Sequence, residues 1–396
     1  MSVVVTNAKS RVAYNIVRSL GEKGIPVYTS DFVRSSMSFY SRYSKGHFLY
    51  PTPFGQQEQF IQSIIQNVQR LKVDVLVPVH EETFLMAKCK DELSKHVKCV
   101  LPDYSQILLV HNKDRWIHLA RSLKVPSPST YLIDELRGAN GMSKVCFPVL
   151  IKPKQGGGGW AISQVDSRDD LTKLLDSELY AGLPWERFFI QQKIEGEVHC
   201  VAMLFCAGEY RAKVTYKQMR EYPVSGGQAT LRMSLRNEAA EESFRKILEY
   251  LKWHGICQAD FIVDRNTGVP YLIDMNPRFW GSLAQGIASG VDFPFLLYKM
   301  ALEGDVEASH DFQVGVMTQW FGGDVRSFLS LLTVCDSRMA LAKTFVDSMR
   351  KVVRHDDISI EDPFPFFAWV GDIVCRSIRR RSFTPGVHDS LDGIWE

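Results

Sequence analysis

The chain opens on a short β-branched run, Val3-Val-Val5, followed by a polar turn, Thr6-Asn-Ala-Lys-Ser10. Apolar residues then recur at helical spacing from Arg11 to Lys23, and Gly24 supplies the stop. Pro26-Val-Tyr-Thr-Ser30 predicts a second strand ending at Asp31, and Phe60 to Leu71 a second helix. Val73-Asp-Val-Leu-Val-Pro-Val79 and Lys98-Cys-Val-Leu-Pro102 predict two more strands. Strands alternating with helices build a parallel, doubly wound sheet. Residues 1–110 are therefore expected to form a Rossmann-like first domain.

The period changes after this half. A helix is expected from Asn112 to Leu123, and Val125-Pro-Ser-Pro-Ser-Thr130 breaks it. Phe147 to Pro153 predicts a strand, Gln155-Gly-Gly-Gly-Gly-Trp160 a loop, Ser167 to Glu178 a helix and Phe188 to Gln192 a strand. Val198–Phe205 and Tyr210–Tyr216 read as a hairpin through Ala207-Gly208. A helix from Ala239 to Trp253 precedes strands Ile256–Val263 and Tyr271–Met275, joined by Asp264-Arg-Asn-Thr-Gly268. Beyond Asp305 the pattern weakens. The expected organisation is α/β, α+β in part: 1–110, then 111–305 with a small lid at about 125–195, then 306–396. In the last region, apolar Phe364 to Cys375 is followed by Arg376-Ser-Ile-Arg-Arg-Arg381. Pro365 and Gly371 predict an interrupted helix there. Packing against the body or a partner subunit is favoured over rest on an anionic membrane surface, and a homodimer is one form such packing takes.

Composition excludes several classes. The 396 residues are 45% hydrophobic and 23% charged, and the net charge of +2 gives no footprint for nucleic acid. The 8 cysteines are scattered without zinc spacing. No signal peptide or spanning segment is readable, so a cytoplasmic location is expected. The turn after the first strand lacks GxGxxG, which argues against a dinucleotide site.

The chemistry gathers near the last predicted strand pair. Asp274 and Asn276 lie two apart in Tyr271-Leu-Ile-Asp-Met-Asn-Pro-Arg278, so both point to one face. Asp260 on the preceding strand reaches that face if the two strands pair. Two carboxylates and an amide oxygen are hard ligands suited to magnesium. The competing reading is an edge strand with solvated carboxylates. Lys152, within Val-Leu-Ile-Lys-Pro, needs an anion if buried, and a phosphate would serve; a snorkelling lysine is the plainer reading. Gly156, Gly157, Gly158 and Gly159 form either a phosphate-approaching flap or a flexible linker, and they do not match a P-loop.

In this order the segments resemble the ATP-grasp superfamily of ADP-forming ligases, which includes D-alanine–D-alanine ligase, biotin carboxylase and the carbamoyl-phosphate synthase large chain. The resemblance spans roughly residues 1–300. It implies that Lys113 and Lys152 bind ATP phosphates, with Gly156 to Gly159 as the flexible loop. Gln191, Gln192, Lys193 and Ile194 become the adenine-reading hinge and Glu197 the ribose acid. Asp260, Asp274 and Asn276 become ligands for magnesium, with manganese as the other candidate ion, and Arg278 steadies the reacting phosphate. Gln192 stands where the family commonly has an acid, and Asp274 where it often has the longer Glu.

The implied reaction is phosphorylation of a carboxylate by ATP to an acyl phosphate, which an amine then converts to an amide, with small-molecule acid and amine as substrates. Bicarbonate activation and non-catalytic nucleotide binding are the alternatives. Lys217 or Arg220, in Lys217-Gln-Met-Arg220 ahead of Gly226-Gly227, is a further candidate for holding the carboxylate; a charged hairpin end is the bland reading.

Overall fold

The computed structural model describes residues 1–136, 142–154, 163–176, 187–224, 226–334 and 337–380. Three sheets organise them.

The first has strands β1 (Val3–Val5), β2 (Val27–Asp31), β3 (Ser44–Leu49) and β4 (Val75–Val77) in the order β3-β2-β1-β4, all parallel. Helix Arg11–Glu22 begins where the Ser10 side chain accepts the Ala13 N–H. It buries Val12, Ile16, Val17 and Leu20. Helix Gln57–Leu71 buries Phe60, Ile64 and Val68, each burial stabilising by about 1.5–3 kcal/mol. The strand expected at Lys98–Pro102 is reduced to one parallel bridge between Val75 and Lys98. Pro102 lacks an N–H for a longer ladder, and the chain turns into helix Tyr104–His111.

The second sheet falls within the segment expected to form a lid: β5 (Thr130–Leu132), β6 (Val149–Pro153), β7 (Ser163–Val165) and β8 (Phe188–Gln192), ordered β5-β8-β6-β7 and antiparallel. It encloses its own small core of Ile133, Val149, Ile151, Leu171 and Ile190.

The third sheet is the largest: β9 (Gly196–Cys206), β10 (Glu209–Tyr222), β11 (Gln228–Ser234), β12 (Gly255–Asp264), β13 (Pro270–Asn276), β14 (Met317–Gln319) and β15 (Val352–His355). Their order is β13-β12-β9-β10-β11-β14-β15. The β9–β10 hairpin turns through Ala207 and Gly208, with φ of 48° and 91°, the left-handed pair that matches strand twist. One face of the sheet carries Cys257, Ala259, Phe261, Leu272 and Met275 against helix Glu238–Tyr250. The other carries Cys200, Ala202, Leu204 and Tyr216 in a core shared with β1 and helix Arg11–Glu22.

Strands β11, β14 and β15 were not expected from the sequence. They bring residues from beyond 306 into the same sheet as the metal-ligand candidates. The interrupted helix is also corrected: Phe364–Arg380 is one helix. Pro365 falls at its second position, where no intrahelical N–H is needed, and open space surrounds the position a Gly371 Cβ would take.

Candidate functional site

The site begins at a defect in the β12–β13 ladder. Asp260 pairs with Asp274, but the next residue, Phe261, pairs with Leu272, so Ile273 is an extra residue in the strand. Buried positions on β13 consequently run 270, 272, 275 instead of keeping strict alternation. Leu272 and Met275 stay in the core, and Asp274 and Asn276 come to the other face. The bulge reconciles an apolar strand with two outward ligands.

On that face, Asn276 Nδ2 donates to Gln258 Oε1 at 2.8 Å, and Gln258 Nε2 donates to Asp260 Oδ1 at 2.6 Å. Asn276 spends its N–H on Gln258, which leaves its carbonyl oxygen to accept a cation. Burial, with the nearby Asp274 charge, pushes the Asp260 carboxyl up to about 6. Two facing carboxylates with this mutual penalty are what a divalent cation relieves, so the donor set fits magnesium. Among the described residues no cluster of three His, Cys, Asp or Glu side chains gathers as a metal site, and here the third donor is an amide.

Lys113, at the start of helix Lys113–Ser122, places Nζ 3.9 Å from Asp274 Oδ1. Lys152, on β6, donates to Gln191 Oε1 at 2.9 Å. Burial, then the Lys113 charge, lowers the Lys152 ammonium to about 8. A buried cation next to a second cation calls for an anion, which the snorkelling reading does not provide. Gln191 is fully buried and also donates to Thr130 Oγ1 at 3.1 Å. Its side chain thus holds Lys152 and ties β8 to β5.

In the expected hinge, the Gln192 N–H donates to the Ser129 carbonyl and the Lys193 N–H to the Pro148 carbonyl. Lys193 Nζ pairs with Glu195 at 2.5 Å. Ile194 follows β8 as the link into β9. Glu197 is exposed and lies 3.2 Å from Lys217 Nζ; hydrogen bonding from Lys217 holds its carboxyl below the usual range. Gly156 to Gly159 lie outside the described residues.

Arg278 follows the strand. Its Nε donates to Glu81 Oε1 at 3.0 Å, its Nη2 lies 2.9 Å from the same oxygen in the ion pair, and its Nη1 donates to the Phe279 carbonyl. Glu81 also meets His80 Nδ1 at 2.8 Å. Burial works against the Glu81 charge, but Arg278 and His80 outweigh it and hold the carboxyl well below its ordinary value. His111 completes the group, its imidazolium pushed down to about 4 by burial and then by Arg278. Neighbouring Glu82 accepts from Thr6 Oγ1 at 2.5 Å and from the Val79 and His80 N–H groups, which ties the loop after β4 to the loop after β1. The segment His80-Glu-Glu82 therefore both starts helix Glu82–Lys88 and reaches the site.

The two further substrate candidates separate. Lys217 joins Glu197. Arg220 makes a two-pronged ion pair with Asp324 (2.8 and 2.5 Å) and donates to Ser348 Oγ at 2.8 Å, so its guanidinium is committed to the C-terminal region. Sequence reading passed over Gln258, Gln191's role, His111 and Arg11. Arg11 lies 4.0 Å over the Trp320 ring and donates to Gln228 Oε1 at 2.9 Å. Gly281 leaves it room, since a Cβ there would come within 2.9 Å of Arg11 Nη2. The signal for Gln258 was available, because it alternates with Asp260 on β12.

Known proteins share this three-sheet architecture, and one part of the chain matches a family model. Residues 111–282 match the family model of the ATP-grasp domain. Biotin carboxylase from Campylobacter jejuni superposes with a TM-score of 0.63 at 18% identity, covering 80% of this chain and 74% of that one. L-amino acid ligase from Bacillus licheniformis gives 0.59 at 16%, covering 78% and 75%. The carbamoyl phosphate synthase large chain of Methanobrevibacter smithii is 21% identical over 336 residues, which is 75% of this chain and 31% of that protein. Acetyl-CoA carboxylase 2 of Arabidopsis thaliana aligns over 6% of its own length. The chain thus spans a minor part of these longer relatives. The biotin carboxylase domain dimer of Hydrogenobacter thermophilus 2-oxoglutarate carboxylase, another structural neighbour, is described with MgADP and bicarbonate.

Proposed function

We propose that this chain is an ATP-dependent ligase that phosphorylates a carboxylate and passes the acyl group to an amine. The observation that carries this reading is the convergence of Lys113, Asp274 and Asp260 at one bulged strand pair, beside a buried Lys152 that has no carboxylate partner of its own among the described residues. Lys113 and Lys152 bind and orient the ATP phosphates. Asp260, Asp274 and Asn276 would hold magnesium, which when bound neutralises phosphate charge. Ile194 offers its backbone N–H to adenine, and Glu197 accepts from the ribose. Arg278, held by Glu81, faces the acid or its acyl phosphate. No side chain needs to act as nucleophile, and catalysis is positioning plus charge neutralisation.

In the reaction, a carboxylate oxygen attacks the γ-phosphorus, the bond to the β-bridging oxygen breaks, and ADP leaves. The amine then displaces phosphate. Bicarbonate in place of the organic acid is the second reading, favoured by the number of carboxylases among the structural neighbours. The test is ADP release with magnesium and ATP across a panel of amino acids, other carboxylic acids and bicarbonate, each with and without amines. Acid- and amine-dependent ADP release supports the ligase, and bicarbonate dependence alone selects the second reading. ATP binding without ADP release from any member would overturn both.

A further inference from the structure

The loop after β4 reads His80-Glu-Glu82, and each residue has its own task. Glu82 Oε1 accepts from the Thr6 hydroxyl and from the Val79 and His80 N–H groups, so the backbone at His80 is fixed. Glu81 stands at the start of helix Glu82–Lys88 without capping it. Its carboxylate is buried, with 7% exposure, and is spent on two other groups. Oε1 accepts from Arg278 Nε at 3.0 Å, and Oε2 meets His80 Nδ1 at 2.8 Å. Arg278 and the His80 ring are therefore neighbours on the two oxygens of one carboxylate.

This fixes the state of the ring. Glu81 keeps its charge, because Arg278 and His80 outweigh its burial. An ionised carboxylate only accepts, so Nδ1 carries the proton. In the neutral ring the free lone pair is then on Nε2. Among the described residues Nε2 has no hydrogen-bond partner, and the His80 side chain is 27% exposed. An imidazole aimed by a buried carboxylate at one nitrogen and open at the other has the form of a general base.

The ligase reaction needs such a group. Charge neutralisation serves the first half, but an amine arrives at neutral pH as an ammonium, which has no free electron pair. The other groups near Arg278 are poorly suited. Glu81 holds its charge too firmly to take a proton. Burial pushes the His111 imidazole down to about 4, which makes it a weak base.

We propose, resting on the ligase reading above, that His80 is the general base of the amine step and that Glu81 is the positioning residue that aims it. Nε2 takes one proton from the ammonium. The freed nitrogen pair forms the C–N bond at the acyl carbon, the bond from that carbon to the phosphate oxygen breaks, and phosphate leaves with those electrons. The nitrogen's second surplus proton passes to the departing phosphate. The imidazolium, stabilised by Glu81, returns its proton to solvent. One carboxylate thus couples Arg278, which faces the acyl phosphate, to the group that readies its attacker.

The test compares two small nucleophiles, ammonium chloride and hydroxylamine, on the full chain with ATP, magnesium and the same panel of acids at neutral pH. Ammonium needs a base there, whereas hydroxylamine is already largely unprotonated. His80→Gln is expected to lower amide formation by about a hundredfold or more and hydroxamate formation by less than about threefold. His80→Asn keeps an N–H donor for Glu81 and lacks the Nε2 acceptor. It is expected to show the same selective loss at the parent's melting temperature. Amide formation near the parental rate in His80→Asn would overturn the proposal, because the ring would then serve only to hold Glu81. Equal loss of both products in the two variants would also overturn it, as would a parent that forms hydroxamate and no amide. A parent that forms neither product with any acid would overturn the ligase reading itself, and the fault then lies in the parent instead of the variants.

Discussion

Two polar clusters sit on opposite flanks of the seven-stranded sheet, and they differ in one respect. Beside β11, β14 and β15 two buried ion pairs are closed, although Arg354 on β15 keeps its buried Nε and Nη2 without a hydrogen-bond partner among the described residues. Arg232 and Asp356 are both fully buried and joined at 2.8 and 2.5 Å, while Asp324 takes Arg220, Thr230 and Gln319. Around β12 and β13 the balance is looser: Asp260 and Asp274 face each other with Lys113 3.9 Å from Asp274, and among the described residues the Lys152 ammonium meets a neutral amide. A closed set of buried charges serves the fold, whereas an open set waits for a ligand. Removing members of the first should cost stability, and removing members of the second should cost activity.

The largest effect is expected at Lys152→Met. ADP formation should fall by about a hundredfold or more, while the melting temperature without ATP stays level or rises. Lys152's folded value of about 8 lies below its unfolded one. Its charge therefore costs stability below pH 8, and the cost fades as pH rises past that point. The same value gives a pH test. ATP, by supplying the missing anion, should bind with proton uptake between about pH 8 and 10. Affinity should then decline across that window, measured by calorimetry in two buffers. A flat profile would mean that Lys152 does not meet the phosphates.

Asp356→Ala should be the mirror image, losing about 3–5 kcal/mol of stability by leaving Arg232 buried without a partner, as read from a urea midpoint. Asp260→Asn should raise the magnesium concentration for half-maximal activity by at least about tenfold with no loss of stability. If instead it unfolds the protein, the two clusters do not differ as described. Arg220→Ala should lower stability by about 2 kcal/mol and leave substrate KM unchanged. A raised KM with unchanged stability would return Arg220 to the site. Glu197→Gln should be mildest, raising the ATP KM by about two- to tenfold, one hydrogen bond's worth.

Much of this was readable because local signals agreed. Helix Arg11–Glu22 has a Ser10 cap and a four-residue apolar stripe, and the pair β12–β13 has a turn that closes on the Asp264 side chain. Spacing also put the candidate ligands Asp260, Asp274 and Asn276 on one face of the pair. What sequence did not show is pairing at a distance. Strand β14 is three residues long, and its place beside β11 is fixed by contacts far away in the chain. Gln191 looked like hinge because it ends a strand, yet β6–β8 pairing sets its side chain against Lys152. Arg220 looked available because its partner Asp324 lies 104 residues on. Pro365 misled by its identity where its position was what mattered.

The bulge at Ile273 has a consequence for how this site can be lost. With Ile273 in the strand, the bulge is what keeps Leu272 in the core and the candidate ligands Asp274 and Asn276 on the opposite face. Conservative exchange of Ile273 for Val or Leu keeps the bulge and should be silent. Deletion of Ile273 should also keep Asp274 and Asn276 outward, because Leu272 and Asp274 would then alternate regularly opposite Phe261 and Asp260, whereas one residue inserted between Met275 and Asn276 should turn Asn276 toward helix Glu238–Tyr250 while every candidate ligand remains in the sequence. A survey that lists only the presence of the ligand residues would score such a chain as intact.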